Sequence, residues 1–187
     1  MKSQFSAIGV LLCLLAGSPA HALDGSRAPQ VAQGTLQAAF APWDDVETLI
    51  IEVIGGAKKQ LVMQAYLLTS KNIALALIAA HKRGVEVRVL ADMEQLSKGD
   101  LSRLPDLVDA GIPVWLETKY QSAHNKIIVI DPAMEDATVV TGSYNFTWSA
   151  QHKNAENILI VRKNPQLAAQ YFANWERHRL DATPYKK

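Results

Sequence analysis

The chain predicts an α/β domain, with helices layered on a mixed, mostly parallel central sheet, and three observations carry that expectation. Strand-like stretches alternate with stretches of helical periodicity from residue 34 onward, the pattern of repeated strand–helix–strand units. The helical stretches close on glycine, at Gly55-Gly56, Gly84 and Gly111, the residue that ends helices most easily. No linker or low-complexity segment divides the chain, and 187 residues suit one domain with a substantial core.

Taken in order, residues 34–41 alternate loosely and predict an edge strand. Pro42-Trp43-Asp44-Asp45 opens a helix whose acidic start suits the positive end of its dipole. Val46, Leu49, Ile50, Val53 and Ile54 follow at helical spacing. Residues 60–68 read as a buried strand, and Ser70 as the cap of a helix over 72–83 with Ile73, Leu77 and Ile78 on its apolar face. Residues 85–90 alternate clearly, Val85, Val87 and Val89 against Glu86 and Arg88. A helix over 101–110 and a short extended piece over 113–117 complete the first half. The second half is richer in strands, at 126–130, 138–141 and 157–161. Asn164-Pro165 then starts a last helix, to about residue 179, with Leu167, Tyr171 and Trp175 on one face.

The first residues have a different character. Lys2 precedes an apolar run over 7–16, then Gly17-Ser18-Pro19 and the small-x-small Ala20-His21-Ala22. That is the pattern of a signal peptide over 1–22, leaving a single mature domain over 23–187. The run is too short to span a bilayer with ease, so no stable membrane insertion is expected after cleavage, and the destination is the periplasm or the exterior. The one cysteine, Cys13, would leave with the signal, and Leu12 occupies the place where a lipoprotein signal carries a small residue. An exported chain without cysteine must rely on packing, not disulfides. Loss of Lys2 leaves 18 basic against 18 acidic residues. Such a surface has no overall basic footprint, so an anionic substrate must be held by local charge. With 49% hydrophobic and 20% charged residues, disorder is excluded.

The chemistry lies between residues 123 and 161. His124 and Lys126 are two apart at a strand start, so imidazole and ammonium project to the same side. Asp131 ends that strand. Gly142, Ser143 and Asn145 follow the next strand, and Glu156 opens the one after. Phosphodiester cleavage needs a nucleophile, positive groups for the equatorial oxygens and an acid for the leaving oxygen. A neutral imidazole supplies the first and a protonated one the last. Lys126 offers charge, Ser143 and Asn145 neutral donors, and Glu156 an acceptor able to fix the tautomer of His124. There is no His-Glu-x-x-His, cysteine cluster or Asp-rich loop, so neither a metal nor another cofactor is expected.

His124-x-Lys126-x-x-x-x-Asp131 followed by Gly142-Ser143-x-Asn145 resembles the HKD motif of the phospholipase D superfamily, in particular its small Nuc-type bacterial endonucleases. The likeness extends through Asn154-Ala155-Glu156-Asn157 and back to Ala39-Phe40-Ala41-Pro42. The resemblance implies a layered α-β-α fold and a site needing two HKD motifs, supplied here by homodimerisation. It further implies a covalent phosphohistidine on one His124, with the partner subunit's His124 protonating the leaving alcohol. Lys126 and Asn145 would bind phosphate with Ser143 beside them, Glu156 would orient the histidine, and Asp131 would give hydrogen-bonding support. One departure is visible: Pro132-Ala133-Met134-Glu135-Asp136 lengthens the turn before Gly142, which should leave the flanking strands in register. The implied activity is a metal-independent endonuclease of low sequence specificity on DNA, with RNA an open addition. A phospholipase D acting on phospholipid head groups is the alternative. The short single-motif chain, without a lipid-binding module or hydrophobic surface helix, favours nucleic acid.

Each residue also has a plainer reading. Ser143 and Asn145 suit turns, Asp131 suits a brace, and Glu156 could be a strand-edge acid. His81-Lys82-Arg83 reads as a solvated helix end and Arg177-His178-Arg179 as a polar one. His152-Lys153 could touch a substrate backbone, and Trp148 could stack on a base or simply pack.

Overall fold

In the computed structural model, which describes residues 29–187, the strands and helices follow the alternation of the sequence. The expected signal peptide, 1–22, lies outside the described residues. Strand β1 (Thr35–Ala41) leads through a turn to α1 (Val46–Gly55), capped by Asp45, whose carboxylate accepts from the Thr48 N–H. Then come β2 (Gln60–Ala65), α2 (Lys71–Lys82) capped by Ser70, β3 (Glu86–Asp92), a 3-10 segment (Met93–Leu101), α3 (Leu104–Asp109) and β4 (Val114–Glu117). The second half holds β5 (Lys126–Ile130), β6 (Thr138–Gly142), α4 (Trp148–His152), β7 (Glu156–Arg162), α5 (Pro165–Asp181) and β8 (Thr183–Pro184).

All eight strands form one sheet in the order β1-β7-β6-β5-β2-β3-β4-β8, a mixed sheet as expected. Its parallel part is smaller than predicted: only β2–β3 and β3–β4 pair in parallel, and the other five neighbours are antiparallel. Helical crossovers create parallel neighbours only among β2, β3 and β4; α1 and α5 also link strands, β1 to β2 and β7 to β8, but these do not lie side by side. Strands β5, β6 and β7 connect by a hairpin and by the loop bearing α4, which return the chain antiparallel.

Two apolar layers sandwich the sheet. On one face Ile50 and Ile54 of α1, Ile73 and Leu77 of α2 and Leu104 and Leu107 of α3 meet Leu61, Met63, Val87, Val89, Ile128 and Ile130. On the other, Ala168 and Trp175 of α5 cover Val62, Leu90, Val129 and Val139. Trp175 is buried, and its indole N–H donates to the Met63 carbonyl at 2.8 Å, so this large side chain leaves no polar atom stranded. The residues expected on one face of α5 do face the sheet.

The lengthened turn behaves as its strands require. Met134 N–H donates to Asp131 O and Ala137 N–H to Met134 O, while Ile127 pairs with Thr141 and Ile130 with Thr138. Three pieces are absent from the periodicity: the 3-10 segment, α4 and β8. The first changes one expectation, because it presents Met93, Leu96 and Leu101 to solvent, an apolar surface segment where none was anticipated.

Candidate active site

Strand β5 enters the sheet between β2 and β6, and its first residue is Lys126. The preceding loop carries His124, which is exposed. Lys126 is only 5% exposed, yet its ammonium is well partnered. It lies 2.9 Å from His124 Nδ1, donates to the His124 carbonyl at 2.9 Å, and sits 4.8 Å from the Tyr66 ring centroid. Burial lowers the Lys126 pKa to about 8, against the nearby Glu156 and Asp92 carboxylates, which hold it up. Desolvation wins because an ammonium loses more hydration than two carboxylates at a distance return.

The Lys126 contact sets the imidazole. An ammonium has donors only, so Nδ1 accepts, and the ring proton of a neutral His124 sits on Nε2. In this arrangement the free protomer presents His124 as a donor at its outer nitrogen.

The neighbouring residues reach the same edge through the next two strands. Gly142 ends β6 beside Ile158 of β7. A Cβ there would stand 2.2 Å from the Asn157 carbonyl oxygen, so only glycine permits the close crossing. That crossing delivers Ser143, whose hydroxyl donates to Glu156 Oε2 at 2.5 Å and accepts from Asn157 N–H at 3.1 Å. Asn154 Nδ2 holds the other Glu156 oxygen at 2.9 Å. The expected imidazole–Glu156 hydrogen bond is not formed here. Glu156 is occupied by Ser143 and Asn154, and Nδ1 of His124 by Lys126. Asn145 is half-buried, and its Oδ1 is buried without a hydrogen-bond partner, a costly state for an amide.

Asp131 is not brought to this edge. It sits past the far end of five-residue β5, roughly 16 Å from Lys126 at strand rise. Its carboxylate accepts from the backbone N–H groups of Lys58, Lys59 and Gln60 at 2.9, 2.7 and 2.8 Å. The bracing reading is therefore the one its contacts express, and distance removes it from the chemistry.

Three site residues escaped the sequence reading. The Tyr66 ring lies against the His124 imidazole, centroids 4.3 Å apart and tilted by 52°, and its hydroxyl donates to Glu94. Asp92 accepts from the Ala123 N–H, next to His124. Tyr66 fell within the 60–68 stretch that read as wholly buried strand, and Glu94 lies in the 3-10 segment that periodicity does not reveal. Of the peripheral candidates, Trp148 is exposed, with His152 and the Lys153 ammonium against its ring at 4.6 and 5.3 Å. At the polar end of α5, His178 turns inward: its Nδ1 lies 2.6 Å from the buried Glu117 carboxylate.

An imidazole backed by an ammonium, an acid, a hydroxyl and an amide whose buried oxygen has no partner gather at one end of the sheet, an arrangement chemically able to engage a phosphoryl group. Residues 50–179 match the family model described as "Cardiolipin synthase, PLD-like domain". The fold resembles the crystal structure of a phospholipase D family member, Nuc from Salmonella typhimurium, with a TM-score of 0.76 and 31% identity over 82% of this chain and 99% of that one. In sequence the chain is 37% identical to a phospholipase D of Rickettsia typhi, over 79% of this chain and 69% of the relative. It is 33% identical to a mitochondrial cardiolipin hydrolase of Xenopus laevis, over 60% and 51%. The chain belongs to the phospholipase D superfamily and is a phosphodiester hydrolase of Nuc-like fold.

Proposed function

We propose that the protein is an exported, metal-independent endonuclease that cleaves DNA, and RNA as a further substrate, in an active site shared by two identical subunits. The observation that carries it is the pairing of exposed His124 with sequestered Lys126, since a single such pair supplies a nucleophile or an acid but not both. In the first step His124 Nε2 attacks phosphorus, forming a P–N bond as the bond to the leaving oxygen breaks. The partner subunit's His124 gives that oxygen its Nε2 proton. In the second step the partner's imidazole takes a proton from water. The water oxygen attacks phosphorus, the P–N bond breaks, and both rings return to their starting states.

Attack through Nε2 requires the ring proton on Nδ1, the reverse of the tautomer that Lys126 imposes in the free protomer. Phosphate drawing Lys126 away from Nδ1, and Glu156 then accepting from it, accomplishes the exchange. The Nδ2 donors of Asn145 and the Ser143 hydroxyl would complete the phosphate contacts from both subunits.

Likeness to a Nuc-type chain over 82% of this chain and 99% of that one supports nucleic acid as the substrate. The phospholipase reading rests on two observations, the relatives that carry that name and the exposed Met93, Leu96 and Leu101. Plasmid cleavage by the purified protein in excess EDTA, wild type against His124→Ala, with phosphatidylcholine vesicles alongside, decides. Cutting that persists in EDTA and vanishes in the variant is expected. Intact plasmid with hydrolysed lipid would establish the phospholipase instead. Cleavage of the signal after Ala22 would leave Leu23 as the first residue, which the mass of the exported protein checks. Among the described residues no helix is long and apolar enough to cross a membrane.

A further inference from the structure

His124 emerges from a loop without regular structure, residues 118–125, and its side chain is exposed. Left alone, such an imidazole would divide its time among staggered rotamers, whereas in-line attack on phosphorus tolerates little misplacement. Something must hold the ring.

We propose that Tyr66, anchored by Glu94, is the positioning residue that holds the His124 imidazole for attack; this rests on His124 acting as the nucleophile. The geometry has two arms that start from one turn. Glu94 N–H donates to Asp92 Oδ1 at 2.7 Å, and the other Asp92 oxygen accepts from Ala123 N–H. The first arm thus pins the backbone just before His124. The second runs from the Glu94 carboxylate to the Tyr66 hydroxyl, and from the Tyr66 ring to the imidazole at 4.3 Å.

Both arms are rigidly seated. Gln95 is fully buried and grips Leu68, accepting from its N–H at 2.6 Å and donating to its carbonyl at 3.1 Å. Ser97 donates to the Glu94 carbonyl at 2.7 Å. Tyr66 itself donates its backbone N–H to the Asn125 carbonyl at 2.8 Å, between the two motif residues. Its ring also faces the Lys126 ammonium at 4.8 Å, a cation–π contact that keeps the charge in place beside the imidazole. The Glu94 carboxylate pushes the Tyr66 phenol up to about 12, so the hydroxyl stays a donor throughout the working range.

The test uses the purified full protein and a small chromogenic diester, bis(p-nitrophenyl) phosphate, which needs neither DNA nor lipid binding. Tyr66→Leu should lower kcat about 100-fold with KM within about threefold. Tyr66→Phe keeps the ring and should restore most of that loss. Tyr66→Phe and Glu94→Ala should cost similar modest factors, and the double variant no more than either, because each removes the same hydrogen bond. By NMR, the His124 ring protons, displaced by the Tyr66 ring current in the wild type, should move toward ordinary positions in Tyr66→Leu.

Unmoved His124 resonances, a loss confined to KM, or additive Tyr66→Phe and Glu94→Ala effects overturns the proposal. Diester hydrolysis that obeys these expectations in a protein unable to cut plasmid supports the positioning role and sinks the nuclease reading. Diester hydrolysis undiminished in His124→Ala sinks both.

Discussion

Lys126 is a lysine whose charge the fold makes expensive. Burial brings its pKa to about 8, below the 10.5 of a solvated lysine, so the ammonium is present below about pH 8 and is lost as pH rises through it. The positive charge that meets the phosphate should vanish over the same range. The kcat/KM of the free enzyme on bis(p-nitrophenyl) phosphate should therefore show an alkaline limb near pH 8, falling about tenfold per pH unit beyond it. Lys126→Arg, however slow, keeps its charge, so that limb should shift and leave only the pH dependence of the catalytic acid. A wild-type profile flat to pH 10 would show that Lys126 charge does not govern binding.

Strand β5 separates two duties at its two ends. Lys126 opens it at the reactive edge, and Asp131 closes it, in a left-handed conformation (φ 48°) that aspartate tolerates better than most residues, gathering three N–H groups of the 58–60 turn. Asp131→Ala would strand those donors and remove charge-assisted hydrogen bonds, costing about 3 kcal/mol of stability, while leaving kcat within about twofold at temperatures where the variant is folded. Denaturant unfolding and steady-state rates measured together check this, and a large kcat loss in a stable variant would return Asp131 to the chemistry. The same strand shows why pattern reading stops where it does. Alternation and apolar content marked its bounds to the residue, but nothing in residues 93–101 repeats at a helical period. That segment is held by single side chains, Gln95 and Asp92, whose partners lie about 30 positions away or on the next loop.

At the scale of the molecule, one protomer offers one imidazole to a proposed mechanism that needs two. The protein should sediment as a dimer at assay concentrations, and mixing excess inactive His124→Ala with wild type under exchange conditions should depress activity beyond dilution. A fully active monomer would refute the shared site. The net charge near zero means that substrate binding depends on local cations such as Lys126 and Lys153. Cleavage should weaken with salt as phosphate contacts do, but with a shallow slope.

By itself the sequence determined the layered α/β class, the order of the long elements, the cap residue Ser70, and the company of His124, Lys126, Ser143, Asn145 and Glu156. Those signals are local: periodicity, capping and motif spacing are all written within a few residues of one another. Only the tertiary structure decided that most strand pairs are antiparallel, that Asp131 stands away from the chemistry, and that Glu156 is engaged by Ser143 and Asn154 in the free protomer. It alone brought Tyr66 and Glu94 to the imidazole. Pairing direction, distance across a sheet and the partner of a side chain are properties of segments far apart in the chain, and they exist only once the sheet has closed around β5.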